Sequence, residues 1–160
     1  MGTPTYTPLA TKTLTATATS VTFSSIGQGF RDLVLVTVNS PSSGNYVQYN
    51  INGDLGANYP AVVMSGNGST TYSATNNFPY ADMTMGILAP GITIISNFMD
   101  YSATDKHKTF ISRGNLASSG AGASAHRWAN TSAITSISIN QGGYGSFAIG
   151  STFTLYGINS

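Results

Sequence analysis

Apolar residues in this chain come in strand-length runs that alternate at period two and stop within a few residues at Gly, Pro, Asn or Ser. Lys12-Thr13-Leu14-Thr15-Ala16-Thr17-Ala18-Thr19 alternates as a half-exposed strand does. In Leu33-Val34-Leu35-Val36-Thr37-Val38 four apolar residues follow one another, which predicts a strand in the middle of a sheet, covered on both faces. Residues 46–51, 61–65, 92–99, 109–112 and 153–158 read as further strands, with 71–74 and 83–88 as weaker candidates. Asn52-Gly53, Gly66-Asn67-Gly68 and Pro90-Gly91 are turns, and Asn-Gly is the pair that closes tight hairpins. Residues 116–124, all small apart from Leu116 itself, read as a loop, as do 39–45 and 141–145. Ile134 is out of phase with Ile137 and Ile139, which suggests a bulge. The expectation is an all-β fold of roughly nine or ten strands without crossover helices, an antiparallel two-sheet β-sandwich of the jelly-roll kind. Residues 1–11, with Pro4 and Pro8, form an extended N-terminal arm, and 12–160 a single β-sandwich domain.

Composition excludes the alternatives. Ser and Thr supply 21 residues each and Asn 13, whereas charged residues make up 7% against a usual ~25%. All five acidic residues are Asp, so the Glu on which helix surfaces draw is missing. At 41% hydrophobic the chain is too apolar for disorder. A net charge of +1 provides no basic stripe for nucleic acid, and no run is long enough for a membrane-spanning helix. Met1-Gly2-Thr3-Pro4-Thr5-Tyr6 lacks the basic and apolar regions of a secretory leader. Without Cys, disulfides, thiol chemistry and Cys-based zinc sites drop out.

The polar residues do not assemble into a reaction centre. No strained G-x-S-x-G turn surrounds a serine, and although His107 and His126 could converge with Asp100 or Asp105, His107 lies in the polar hairpin tip Asp105-Lys106-His107-Lys108. Asp82, Asp100 and Asp105 sit beside turn residues, where Asp ordinarily bonds the backbone. Asn50-x-Asn52-x-Asp54 opens like a calcium loop, but its glycines are misplaced and Ala61 stands where the bidentate Glu belongs. Gly142-Gly143-Tyr144-Gly145 has no following Lys-Ser/Thr to make it a phosphate cradle. No catalytic residue, metal ligand or cofactor is expected. Tyr72, Tyr80, Trp128 and Tyr144 remain as candidate loop contacts, since rings with a polar edge suit interfaces and sugars as well as core caps. A surface so poor in charge suits burial against partner subunits.

Three stretches carry a resemblance. They are Phe30-Arg31-Asp32-Leu33-Val34-Leu35-Val36, then Ile51-Asn52-Gly53-Asp54-Leu55-Gly56-Ala57-Asn58-Tyr59 followed by Ser65-Gly66-Asn67-Gly68-Ser69, and the closing Phe147-Ala148-Ile149-Gly150-Ser151-Thr152-Phe153-Thr154-Leu155-Tyr156-Gly157-Ile158. Together they resemble small β-sandwich virion proteins of tailed bacteriophages. The resemblance implies a structural virion protein and not an enzyme, with self-association as a homotrimer, contacts to the major capsid protein or other virion proteins, and neither nucleic acid nor membrane as partner. It implies localisation in the virion after assembly in the host cytoplasm. Within that group the expected role is capsid decoration, a cement protein strapped to its neighbour by an arm that includes Pro4, Tyr6 and Pro8. The alternative is a small tail or fibre adhesin that holds host glycans through loop aromatics.

Overall fold

The computed structural model describes residues 4–39, 41–43, 46–83, 91–116, 120–142 and 145–159. Every regular element among the described residues is a strand. These are β1 (Tyr6–Thr13), β2 (Ser20–Phe23), β3 (Asp32–Val38), β4 (Pro41–Ser43), β5 (Tyr46–Ile51), β6 (Tyr59–Gly66) and β7 (Thr71–Phe78). They continue with β8 (Ala81–Asp82), β9 (Thr93–Met99), β10 (Lys108–Leu116), β11 (Gly120–Trp128), β12 (Ile137–Gly142), β13 (Ser146–Phe147) and β14 (Thr152–Ile158). All pairings are antiparallel. Eight strands form one sheet in the order β1-β14-β3-β9-β10-β11-β6-β7, and four form another, β2-β12-β5-β8, with β4 and β13 as a short separate pair.

The pairing is nested. β1 pairs with β14, β2 with β12, β3 with β9 and β5 with β8, so early strands meet late ones in reverse order. Two hairpins, β6–β7 and β10–β11, are added inside this scheme and extend the large sheet beyond β9. The two sheets share one core, because alternate residues of each strand turn inward. Along β9, Ile94, Ser96 and Phe98 are buried and their neighbours are not, and along β12 Ile137, Ile139 and Gln141 are buried while Ser138 and Asn140 are less so. Leu33, Leu35, Tyr49, Ile51, Phe110, Phe147, Phe153 and Leu155 belong to the same cluster. A buried Leu or Phe contributes about 1.5–3 kcal/mol, which makes this cluster the main source of stability.

Several expectations change. The alternation over 12–19 is not one strand: β1 begins at Tyr6 and ends at Thr13. Residues 6–11, expected within an extended arm strapped to a neighbour, form the edge of the large sheet along β14, where Asn159 also donates to Pro4 O and Thr7 Oγ1. The small-residue stretch 116–124 is mostly strand: β11 runs from Gly120, hydrogen-bonded to β10 on one side and β6 on the other. Two flanking strands outweigh its poor strand propensity. Asn52 and Gly53 do have positive φ, 52° and 70°, but they join strands of different sheets and close no hairpin. β3 is central as expected, yet Val38 is 46% exposed, because no second layer covers the outer face there. Gln141 and Gly142 belong to β12, and Ile134 is buried just before that strand. Of the candidate strand 83–88, residues 84–88 lie outside the described residues.

Polar groups enter the core at several places, among them the middle of β9, β10 and β11. Ser96 and Ser112 share a 2.7 Å hydrogen bond on neighbouring strands, and both are fully buried. Beside them Phe98, Phe110 and His126 stack in succession, with centroids 4.7 and 5.0 Å apart. Burial pushes His126 down from 6.5 to about 4, and the neighbouring Asp82 backbone opposes this without making a hydrogen bond of normal geometry to either ring nitrogen. Unfolding frees this imidazole to take a proton near 6.5, whereas the folded chain resists until about 4. Stability is therefore complete above pH 6.5 and falls as pH drops towards 4, by up to about 3 kcal/mol. Urea midpoints measured across that interval should decline for the native sequence, and His126→Phe should flatten the decline.

Candidate interaction surface

The turn 52–58 shows what the most distinctive motif does. Asn52 Oδ1 accepts from Thr135 N at 2.8 Å and Ser136 N at 3.0 Å, and its Nδ2 donates to Ala133 O at 2.8 Å. The Asp54 carboxylate accepts from Trp128 Nε1 at 2.7 Å, Gly56 N at 2.9 Å and Asn58 Nδ2 at 3.0 Å. Tyr59 donates its hydroxyl to Asp54 O and accepts from Ile51 N, each at 3.0 Å. Burial alone would raise the Asp54 pKa, but the bonds from Trp128, Gly56 and Asn58 outweigh it and hold the carboxyl below its ordinary value. Tyr59 goes the other way, pushed up to about 12 chiefly by burial, with the Ile51 bond opposing and the Asp54 charge adding to it. The side chains of Asn52, Asp54, Asn58 and Tyr59 are all used in holding the turn.

The candidate chemistry separates accordingly. Asn50 turns its amide nitrogen towards Asp54 O and Pro79 O, so the calcium-like spacing presents a donor where an ion needs an oxygen. Among the described residues no three His, Asp or Glu side chains cluster as metal ligands. His107 is exposed in the turn before β10, while His126 is buried on β11 against Phe110. Lys108 is fully buried and donates to Lys106 O and Thr131 O, and desolvation lowers its pKa.

The candidate contact residues have different fates. Trp128, expected in a loop, ends strand β11 and is 1% exposed, since its indole packs in the core and its N–H is spent on Asp54. Tyr72 lies on β7 and is 51% exposed. Tyr80 is half-buried and stacks on Phe78 with centroids 5.3 Å apart. Tyr144 lies outside the described residues. In the former arm, Pro8 is on β1 opposite Tyr156, Tyr6 meets the Tyr156 ring edge-on at 6.3 Å, and Pro4 O is held by Asn159.

A broader surface emerges from the sheet itself. On the outer face of β9, β10, β11, β6 and β7, register aligns Asn97, Ile111, Ala125, Val62 and Thr75 in one row. The next row is Ile95, Arg113, Ala123, Met64 and Ser73. Val62, Met64 and Ile111 are each at least half exposed. Ala121, Ala123 and Ala125 make β11 a low floor between taller side chains, and a shallow trough of about 520 Å³ passes over Val62, Met99, Ile111 and Ala125. Arg113 and Arg127 are the charged side chains on this five-strand face, and neither takes part in an ion pair among the described residues. Sequence reading missed the surface because the run Ala61-Val62-Val63-Met64 does not say which of its alternate residues a second layer will cover.

No protein-family model, curated protein or solved structure matches the chain.

Because Asp54 is a charged acceptor with three donors, the loss of one should be felt throughout this end of the molecule. Trp128→Phe removes the N–H and part of the ring volume together, and should cost at least about 1.5–3 kcal/mol in a denaturant titration.

Proposed function

We propose that this chain is a structural protein of a tailed-bacteriophage virion, and specifically a decoration protein that binds the assembled head. The observation that carries this reading is the five-strand outer face of the large sheet, which exposes Val62 and Met64 on β6 and Ile111 on β10, with no acidic residue and two arginines. Such a face is built for burial against another protein, because covering it desolvates few charges. The nested pairs β1·β14, β2·β12, β3·β9 and β5·β8 support a jelly roll, the double Greek key in which a long hairpin is rolled over itself, and viral capsid domains use that fold. The motif resemblance points to the same class, with the host cytoplasm as the place of assembly. A protein that binds only the completed shell stabilises it by mass action, so no chemistry is required of it.

Tyr72 and the Phe78–Tyr80 stack favour a second reading, a tail or fibre adhesin that places aromatic faces against host glycans.

Labelling intact particles with a specific antibody for electron microscopy separates the two. Label over the head supports decoration, label at the tail supports the adhesin, and unlabelled particles remove both. On the first reading Met64→Glu combined with Ile111→Glu should leave the fold intact and reduce occupancy on heads at least tenfold. Occupancy equal to that of the native protein would count against the sheet face as the contact.

A further inference from the structure

The two edges of the large sheet are built differently. β1 is guarded in ways that discourage pairing with another chain: Pro8 lacks an N–H, the register shifts between Pro8 and Ala10, and Lys12 lies further along. The other edge, β7, reads Thr-Tyr-Ser-Ala-Thr-Asn-Asn-Phe and has no proline and no charge. Its register with β6 is unbroken over all eight residues, from Tyr59↔Phe78 to Gly66↔Thr71. No described segment hydrogen-bonds along its outer side. In the small sheet the edges are short, four residues in β2 and two in β8, and Lys12 Nζ already occupies Thr22 O of β2. β7 is thus the long unguarded edge among the described strands, and long unguarded edges add strands.

We propose that β7 pairs antiparallel with β7 of a second copy of this chain about a twofold axis at Thr75, which joins two large sheets into one. The composition of β7 selects this occupant. In a twofold antiparallel pair centred on Thr75, Thr75 faces its own equivalent and Ala74 faces Asn76. Tyr72 and Phe78, each three residues from the centre, then face one another twice. Cross-strand aromatic and Thr–Thr pairs are favourable sheet contacts, and the exposure of Tyr72 at 51% and Phe78 at 38% leaves both rings available. With no charge on β7, the twofold sets no like charges opposite each other. Arg127 and Arg113 lie two and three strands inward. The guarded β1 edge disfavours a head-to-tail β7-to-β1 contact, so association closes at two copies and no filament grows. This self-contact is independent of the virion role, and it differs from the trimer that the motif resemblance implies.

Light scattering of the eluting full-length chain should give twice its 16.6 kDa, and Tyr72→Lys should return the mass to one chain with the circular dichroism unchanged. Since the chain has no cysteine, a single substitution is a clean probe. Thr75→Cys should oxidise to a disulfide-linked dimer, because directly opposed residues bring their Cα atoms within disulfide range. Ser73→Cys, opposite Asn77, should not. A one-chain mass at every concentration, a larger assembly indifferent to Tyr72→Lys, or Ser73→Cys linking as well as Thr75→Cys would each overturn the proposal. The last two would point to another contact between copies.

Discussion

One end of the molecule depends on the turn between Asn52 and Asn58, because that turn is where strands of both sheets are tied together. Its Asn52 carboxamide takes the backbone leading into β12, its Asp54 carboxylate takes the indole at the end of β11, and Asn58 O accepts from Ala129 N. The turn itself connects β5 of the small sheet to β6 of the large one. Two short polar side chains therefore do what a disulfide does in other small β-domains, in a chain without cysteine. The Asp54 bonds are strong because the acceptor is ionised, and its indole donor is withdrawn from water.

The remaining charges are arranged sparingly. Lys106 pairs with Asp100 and Arg31 with Asp32, and Asp32 also accepts from Asp100 N, so the polar end beside β9 and β3 holds itself in place. Lys108 is buried with two backbone carbonyls, and His126 is buried in an aromatic stack. The outer face of the large sheet is left to Thr, Asn, Ala, a few large apolar side chains and the two arginines Arg113 and Arg127. A sheet surface of this kind meets water through neutral hydrogen-bonding groups, and covering it carries a small electrostatic cost.

Much of the fold was legible because strand alternation is a local property. Runs such as Leu33 to Val38 and Phe153 to Ile158 announce strands by themselves, and both are strands. The motif residues also turn out to be meaningful, though for packing. Gly157 lies under the Phe30 ring, which a Cβ there would enter, and Arg31 N donates to Ile158 O, so the first and third motif stretches are in contact. What misled was any feature whose meaning depends on a distant partner. Asn52-Gly53 looks like a hairpin turn whether or not the following strand stays in the same sheet. Gly120 to Ser124 looks like a loop until β10 and β6 flank it. Trp128 looks available for binding until Asp54, 74 positions away, accepts its N–H.

Period-two patterning, absent Glu and abundant Thr by themselves determined an antiparallel all-β chain, since those preferences act within a few residues. Tertiary structure alone decided that the first strand lies beside the last and that two added hairpins extend one sheet past the reach of the other. It also decided which apolar residues were left on the outer face and which edge was left unguarded. The physical reason is that most of the contacts holding these elements are long-range. Alternation divides a strand into two faces but is silent on which neighbour, or none, covers each of them.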